Sequence, residues 1–290
     1  MKYRITHRTV YRYSRPVTVS RHAARLEPRT LAEQRCEEFS LQISPSSAVR
    51  RERLDYFGNR VCFFSIQELH QRLEVIAESL VSVAAVTPPA VTLSPPWEAV
   101  ATLFSDPVEP AVVEPYQFVF DSPCVGVLPE LADYGRESFQ PGKPLLVAVA
   151  DLTRRIFEDF TYDPVATTIA TPLAEVLEHR RGVCQDFAHL AIATLRSLGL
   201  PARYVSGYLR TRPAEGKERL MGADASHAWF AAYCPDLGWV DFDPTNNLQP
   251  TDEHITVALG RDFGDVSPIS GVITGGGEHK VAVSVDVLPV

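Results

Sequence analysis

The sequence predicts an α+β protein in which a small antiparallel β domain precedes a layer of helices and a second antiparallel sheet. Two observations support this order. Residues 1–85 are dense in short runs that alternate apolar and polar side chains, the pattern of half-buried strands. Residues 145–290 begin with two helix-like apolar stripes and continue with three strand-like runs.

The first domain is predicted over residues 1–85. Its strand-like runs include YRITHRTVYRY, EEFSLQISP and RVCFFSI. Gly58 and Asn59, in DYFGNR, lie between two such runs, and both residue types tolerate the positive φ of a tight turn. We therefore expect antiparallel strands joined by short turns.

Residues 86–144 are predicted to form a connector. Proline is concentrated there, in TPPAVTLSPPWEAV, SDPVEPAVVEP and FQPGKP, and it interrupts both helices and sheet ladders. Trp97, Phe104 and Phe118 nevertheless provide apolar surface for docking. An ordered connector with one or two short helices is the expectation.

Residues 145–290 are predicted to form the third region, the candidate catalytic core. Residues 145–160 carry a helical apolar stripe, and a second helix begins at or near Cys184 and ends at Gly199, before Pro201. The strands ARYVSGYL, HAWFAAYC and WVDFDPT follow. For GRDFGDVSP and GVITGGGEHK we expect an ordered loop over the cleft, serving as a lid or a subunit contact, before a last alternating strand.

Composition and charge exclude several classes of protein. Hydrophobic residues make up 45% and charged residues 22%, as in soluble globular proteins. A net charge of −8 disfavours nucleic-acid and anionic-membrane partners, which require a basic face. The charged beginning of the chain and the lack of any long apolar run predict a cytoplasmic location. The five cysteines are far apart, so we expect reduced thiols, no metal site and no cofactor; a homo-oligomer stays open.

Cys184 has two interpretations. It lies where the loop RRGV turns into an apolar-striped helix, and the unpaired N–H groups at a helix start stabilise a thiolate, the nucleophilic form of cysteine. Free cysteines are also among the most buried residues, so a packing role is the alternative.

The hairpin of HAWFAAYC and WVDFDPT favours the nucleophile. If Pro235, Asp236 and Leu237 form the loop, Asp243 falls opposite Trp229 and shares a face with His227. A loop of even length would reverse both faces. A histidine held by a carboxylate and presented to a cysteine is the arrangement that nucleophilic acyl chemistry requires.

The motifs also carry a family resemblance. RRGVCQDFAHL, SHAWFAAY and WVDFDPTNN resemble the three core motifs of the bacterial transglutaminase-like superfamily, and YRYSRPV with RHAARLEPR resembles its N-terminal β domain. The resemblance implies a β-sandwich followed by a papain-like α+β core. It also implies that Cys184 is the nucleophile, His227 the base and Asp243 the residue that orients the base.

Other residues near the motifs have a functional and a structural interpretation. Tyr162 is a candidate oxyanion donor or a packing tyrosine, and Trp229 lines an acyl-donor tunnel or belongs to the core. Gln185 is a further substrate-binding or oxyanion candidate. For Asp186 we expect helix capping, and for His189 packing or hydrogen bonding.

The sequence thus predicts a cysteine-dependent enzyme that acts on a peptide or protein substrate. It attacks an amide, peptide or isopeptide bond through a thioester, with hydrolysis favoured over cross-linking. Protein-glutamine transglutaminase activity is one alternative, and a non-catalytic binding module that keeps the fold is another. A metal site built from Cys184, His227 and Asp243 is a third, although its ligand spacing is unlike that of zinc sites.

Overall fold

A computed structural model describes residues 1–85, 87–106, 110–211 and 225–290. The strands are β1 (Lys2–Ala24), β2 (Gln34–Ser44), β3 (Val49–Leu54), β4 (Arg60–Ile66), β5 (His70–Val83), β6 (Thr161–Tyr162), β7 (Arg181–Gly182), β8 (Ala202–Leu209), β9 (Ala225–Cys234), β10 (Gly238–Phe242), β11 (His254–Gly260), β12 (Ile269–Gly275) and β13 (His279–Pro289). The helices are α1 (Trp97–Leu103), α2 (Pro110–Tyr116), α3 (Pro129–Arg136), α4 (Leu145–Asp159), α5 (Leu173–His179), α6 (Cys184–Ser197) and α7 (Phe263–Val266). None of the helices in the described ranges has the length and apolarity needed to cross a bilayer.

The N-terminal region is one curled antiparallel sheet of seven strands, ordered β2-β5-β1-β4-β3, with β12 and β13 also paired to β1. The 23-residue β1 is long enough to belong to both halves of the curl. Alternate residues of its strands face inward and form a core, as the alternating pattern predicted. That core contains Tyr13, Val17, Ala24, Leu26, Leu41, Cys62, Phe64, Ile66, Leu73, Val75 and Ala77.

The end of the described chain returns to this sheet. β13 pairs antiparallel with the first half of β1, from Tyr3↔Pro289 to Tyr13↔His279, and β12 pairs with the second half. The expectation of a loop over the cleft between residues 260 and 280 is therefore wrong, because residues 269–275 and 279–280 are hydrogen-bonded as strands along one edge of β1. The last two strands of the stretch 145–290 complete the N-terminal sheet.

The second sheet has the order β10-β9-β8-β11, and α6 packs on one of its faces. Along β9, Ala228, Phe230 and Ala232 join the large core that α6 occupies, whereas Trp229 and Ala231 belong to a separate cluster. All residues of α6 from 186 to 196 are buried, which makes it the central helix of this layer. The predicted starts of α4 and α6 are confirmed.

The described part of the connector, residues 87–106 and 110–144, carries three short α-helices, one more than the upper number expected. Val100, Phe104 and Leu131, on or beside these helices, are buried in the same core as α6. The apolar residues between the prolines thus pack on the helical layer.

Two amide side chains of the N-terminal region hold the edge strand β11. Gln34 exchanges two hydrogen bonds of 2.8 Å with the backbone of Thr256. Asn59 does the same with the backbone of Leu259, also at 2.8 Å. Each amide makes the two backbone hydrogen bonds that a neighbouring strand would make. Side chains of the first domain thus cover part of the edge of the second sheet.

Candidate active site

Cys184 is the first residue of α6. The turn before it is held by Asp186, whose carboxylate accepts hydrogen bonds from the backbone N–H of Val183 at 2.8 Å and from the hydroxyl of Thr167 at 2.6 Å. Gly182 is required there because a Cβ at this position would lie 2.7 Å from the Asp186 carboxylate. The capping role predicted for Asp186 thus agrees with its contacts, and Cys184 is fixed at the open start of the helix.

His227 and Asp243 lie on the hairpin with the predicted register. Cys234 pairs with Gly238 and Phe230 with Phe242, so the loop has three residues. This register carries Asp243 to the face of His227, and the two side chains meet with 2.7 Å between His227 Nε2 and Asp243 Oδ2.

The Asp243 carboxylate is completely buried and fully hydrogen-bonded. Its Oδ2 accepts from Asn246 at 2.7 Å and from His254 at 3.1 Å, in addition to His227. Its Oδ1 accepts from the backbone N–H groups of Thr245 and Asn246. Burial alone would raise the pKa of Asp243, but the hydrogen bonds, those of His227 and His254 first, outweigh it and lower the pKa.

Two residues, Asp243 and Cys184, act on the His227 imidazole. Nε2 of His227 faces Asp243. Burial alone would lower the pKa of His227, yet the hydrogen bonds with Asp243 and Cys184 outweigh it and raise the pKa. The structure thus joins His227 to Asp243, and the imidazole, on which Cys184 also acts, favours its charged form.

Tyr162 and Gln185 both lie close to Cys184. Tyr162, on β6, pairs with Gly182 on β7, two residues before Cys184, and its side chain is 54% exposed. Partial burial and the charge of Cys184 raise the pKa of Tyr162. Gln185 is half-buried in the first turn of α6. Both positions are compatible with substrate contact.

Trp229 is completely buried behind His227. Its Nε1 donates to Asp241 Oδ2 at 2.9 Å, and Gly207, which pairs with His227, leaves room for the indole because a Cβ there would lie 2.5 Å from it. The core interpretation of Trp229 fits these contacts better than the tunnel interpretation. His189 is also buried and accepts a hydrogen bond from the backbone of Phe263 at 3.1 Å.

The motifs match two family models. Residues 3–82 match the bacterial transglutaminase-like N-terminal region, and residues 133–244 match the transglutaminase-like superfamily core. An uncharacterized protein of Mycobacterium tuberculosis is 42% identical over 99% of this chain and 93% of its own length.

The chain belongs to the transglutaminase-like superfamily.

Two further proteins are similar to this transglutaminase-like chain. A proposed cysteine protease from Cytophaga hutchinsonii has the same fold, with a TM-score of 0.77 and 22% identity over 100% of this chain and 91% of that chain. A protein-glutamine gamma-glutamyltransferase of Pseudomonas aeruginosa is 30% identical over 129 residues, 41% of this chain and 18% of that protein. The family is one of cysteine-dependent enzymes.

Sequence reasoning missed two residues of the transglutaminase-like site. Asn246 lies three residues after Asp243, and the turn residues in DPTNN were its signal. His254, on β11, is separated from β9 by β8 in the sheet order, so no local spacing indicated that its ring reaches Asp243.

One cluster has the composition of a metal site. Ligand atoms of His227, Asp243 and His254 lie within 4.8 Å of one another. A cation there would displace the protons that both histidines donate to Asp243. Within the described residues, this cluster does not include Cys184. It therefore differs from the alternative metal site predicted from the sequence, which consisted of Cys184, His227 and Asp243.

All five cysteines are free thiols, and burial acts on the four that lie outside the candidate site. Burial raises the pKa of Cys36 and of Cys234 to about 11. Burial also raises the pKa of Cys62 and Cys124. These four thiols are held in the protonated form.

Proposed function

We propose that the protein hydrolyses amide or peptide bonds, isopeptide bonds included, through a thioester on Cys184. The observation that carries this proposal is the His227 ring, which is hydrogen-bonded to the buried Asp243 and whose pKa is raised by Asp243 and by Cys184 at the start of α6. Such a ring moves protons to and from the sulfur while the carboxylate fixes its tautomer.

In the proposed reaction the Cys184 sulfur attacks the carbonyl carbon of the substrate. The carbon–nitrogen bond breaks, and His227 gives its proton to the departing amine. The acyl group then remains on the sulfur as a thioester. Water attacks the thioester with His227 as the base, and the carboxylic acid and the Cys184 thiol are released.

Two donors are proposed for the oxyanion. The backbone N–H of Cys184 lies at the start of α6, where helix N–H groups have no partner inside the helix. The Tyr162 hydroxyl is the second donor, because β6 and β7 hold this residue beside Gly182 and the charge of Cys184 acts on it.

Hydrolysis is proposed over amine transfer because aminolysis requires a cleft that excludes water. Cys184 is partly exposed, and Tyr162 is 54% exposed. The similarity to a proposed cysteine protease supports the same choice, whereas the partial relative from Pseudomonas aeruginosa supports amine transfer as the second candidate. A peptide or protein substrate and a cytoplasmic location remain part of the proposal.

Selective alkylation tests the nucleophile. The protein is treated with iodoacetamide at pH 6, and the five cysteines are followed by mass spectrometry. We expect Cys184 to react at least about tenfold faster than the other four and to lose this advantage in His227→Ala, with His179→Ala, on an exposed helix end, as the control. Uniform slow labelling would favour the non-catalytic binding module.

A partition experiment tests the outcome of the reaction. A peptide with an isopeptide-linked lysine and a peptide with an internal glutamine are each incubated with excess cadaverine. We expect hydrolysed products and no cadaverine adduct, with all turnover lost in Cys184→Ala. A predominance of adduct would assign the protein to the transglutaminases, and no turnover of either peptide would contradict the proposed substrate class.

A further inference from the structure

The Asp243 carboxylate receives one hydrogen bond from a distant part of the chain. Asp243 follows the end of β10 and begins a turn. The Asn246 side chain and the backbone N–H groups of residues 245 and 246 belong to the same turn, so they hold the carboxylate only relative to that turn. Among the described residues, His254 on β11 is the donor from outside this turn besides His227 itself.

The His254 ring is held in one orientation. Asp243 is ionised, because its hydrogen bonds lower its pKa, and a carboxylate only accepts hydrogen bonds. Nε2 of His254 therefore carries a proton and donates it to Asp243 Oδ2 at 3.1 Å. The ring is buried and packs edge-to-face on the Trp229 indole, with ring centres 5.2 Å apart, and its centre lies 5.9 Å from that of His227. His254 thus lies beside the base and donates to the carboxylate that orients it.

β11 lies between this site and the N-terminal sheet. Ile255 and Val257, the first and third residues after His254, belong to a buried cluster with residues of β1, β5 and β13. Since neighbouring residues of a strand point to opposite faces, His254 is directed to Asp243 while Ile255 packs on the N-terminal sheet. The position of His254 consequently depends on how β11 packs against the first domain.

Gln34 holds β11 close to His254. Its buried side-chain amide exchanges two hydrogen bonds of 2.8 Å with the backbone of Thr256, two residues after His254. Asn59 holds Leu259 with two hydrogen bonds of the same length, but five residues after His254. The first domain thus makes two equivalent contacts with β11 at different distances from the active site.

We propose that His254 is a positioning residue of the active site and that the N-terminal domain determines its place through Gln34. His254 fixes the rotation of the Asp243 carboxylate, so that Oδ2 stays directed at Nε2 of His227. A base that keeps its tautomer and orientation before the substrate arrives is what nucleophilic catalysis by cysteine requires. This role rests on the hydrolysis proposed for Cys184, and it gives the first domain a part in that reaction.

The first test measures the hydrogen bond between His227 and Asp243 without any turnover. In protein with isotope-labelled histidine, NMR follows the exchange with water of the His227 Nε2 proton, which His227→Gln identifies. A proton in a permanently formed buried hydrogen bond exchanges slowly. We expect exchange at least about tenfold faster in His254→Phe, which keeps a ring against Trp229 but has no donor. His254→Gln, which keeps a donor, should exchange at nearly the parent rate.

The second test measures turnover of the peptide with the isopeptide-linked lysine. A misplaced base slows the chemical step more than it weakens substrate binding, so His254→Phe should lower kcat roughly ten- to hundredfold and change KM by less than about twofold. His254→Gln should recover most of kcat, which a residue that only fills space would not do. His254→Leu replaces His254→Phe if the latter fails to fold by circular dichroism.

Matched substitutions test the part of the N-terminal domain. Gln34→Leu and Asn59→Leu each remove one amide from the edge of β11, so we expect similar losses of stability in urea unfolding. Because Gln34 lies closer to His254 along β11, Gln34→Leu should lower kcat about three- to tenfold and Asn59→Leu less than about twofold, with both variants folded. In the His254→Phe background, Gln34→Leu should have no further effect on kcat.

Three results would overturn the role of His254. They are a His227 proton that is unprotected in the parent protein, an unchanged exchange rate in His254→Phe, and an unchanged kcat in His254→Phe. Equal effects of Gln34→Leu and Asn59→Leu on kcat would overturn the part of the N-terminal domain. Absence of turnover by the parent protein would contradict the proposed hydrolysis, while the exchange rates would still show whether His254 holds the carboxylate in place.

Discussion

Two groups of polar side chains with buried polar atoms lie around His254, and they differ in how completely those atoms are hydrogen-bonded. On one side, Asp243 accepts three side-chain and two backbone hydrogen bonds. On the other side, Arg203, Gln249 and His254 itself each have a buried nitrogen without a partner in the described chain. The same histidine ring therefore has a hydrogen bond to Asp243 at Nε2 and no hydrogen-bond partner in the described chain at Nδ1.

The difference separates a group whose hydrogen bonds are completed by the protein from one that keeps unpartnered buried nitrogens. A saturated buried carboxylate keeps its position before any substrate arrives, which is how electrostatic preorganisation works. An unpartnered buried nitrogen is destabilising, so replacing its side chain with an apolar one of similar size costs little. Substitutions on the two sides should consequently differ in size and even in sign.

The largest effect is expected at Asp243. Asp243→Asn keeps the shape of the side chain but offers an amide where His227 requires a carboxylate, so we expect kcat for isopeptide hydrolysis to fall roughly 10⁴-fold. Asp236→Asn is the control, because Asp236 lies in the exposed hairpin loop at φ +67°, a conformation that asparagine tolerates. A loss below about tenfold in Asp243→Asn would remove this carboxylate from the mechanism.

The pH dependence of stability tests the same ion pair. The raised pKa of His227 contributes stability that is complete below its ordinary value of about 6.5 and is lost as pH rises through the folded value. The lowered pKa of Asp243 contributes stability that is present above about pH 4 and is lost as pH falls through the folded value. The pair therefore stabilises most between about pH 4 and 6.5.

His227→Gln should accordingly lower the free energy of unfolding by about 3 kcal/mol near pH 5.5 and by less at pH 9. Urea unfolding of the parent protein and the variant at the two pH values measures this gap, the loss in the free energy of unfolding. His179→Gln, whose side chain is exposed, should show a small change at both values. A gap that widens toward pH 9 would mean that the imidazole is neutral in the folded protein.

A smaller loss in the free energy of unfolding is expected when the hydrogen bonds between the two sheets are removed. Asn59→Ala leaves the N–H and C=O of Leu259 without their partner, which should cost about 2 kcal/mol in the free energy of unfolding. Gln42→Ala removes an exposed amide that reaches Glu78 at 3.4 Å and should cost well under 1 kcal/mol by the same mechanism. Equal effects in urea unfolding would show that β11 does not depend on Asn59.

The smallest changes in the free energy of unfolding are expected at two amide side chains in the segment after β10. Asn246 donates to Asp243, so Asn246→Leu should lower the free energy of unfolding by about 1–2 kcal/mol. Gln249 has an unpartnered Nε2, so Gln249→Met should change it by less than about 0.5 kcal/mol or stabilise the protein. If both variants lose the same stability, the contrast between the two groups fails.

Much of the site was predictable because its geometry is local. The start of α6 at Cys184 follows from a loop that turns into an apolar stripe, and the shared face of His227 and Asp243 follows from a three-residue loop and a period of two. The family motifs and the fold class were also predictable and are confirmed.

The rest depends on contacts between residues far apart in the sequence. The alternation in VAVSVDVLP predicted a strand, but it does not indicate that β1 is the strand it pairs with. The contact of His254 with Asp243 depends on the place of β11 in the sheet order. The unpartnered nitrogens of Arg203 and Gln249 also depend on how distant segments pack, and no sequence pattern indicated them.

The pairing of β13 with β1 also has a consequence for synthesis. β1 is translated before β13, and its first half has β5 as an early neighbour, yet the opposite edge stays open until residues 279–289 have been made. An unpaired strand edge invites pairing with another nascent chain. The first sheet is thus completed only after the second, and a chain cut after the second sheet would leave the ribosome with that edge exposed.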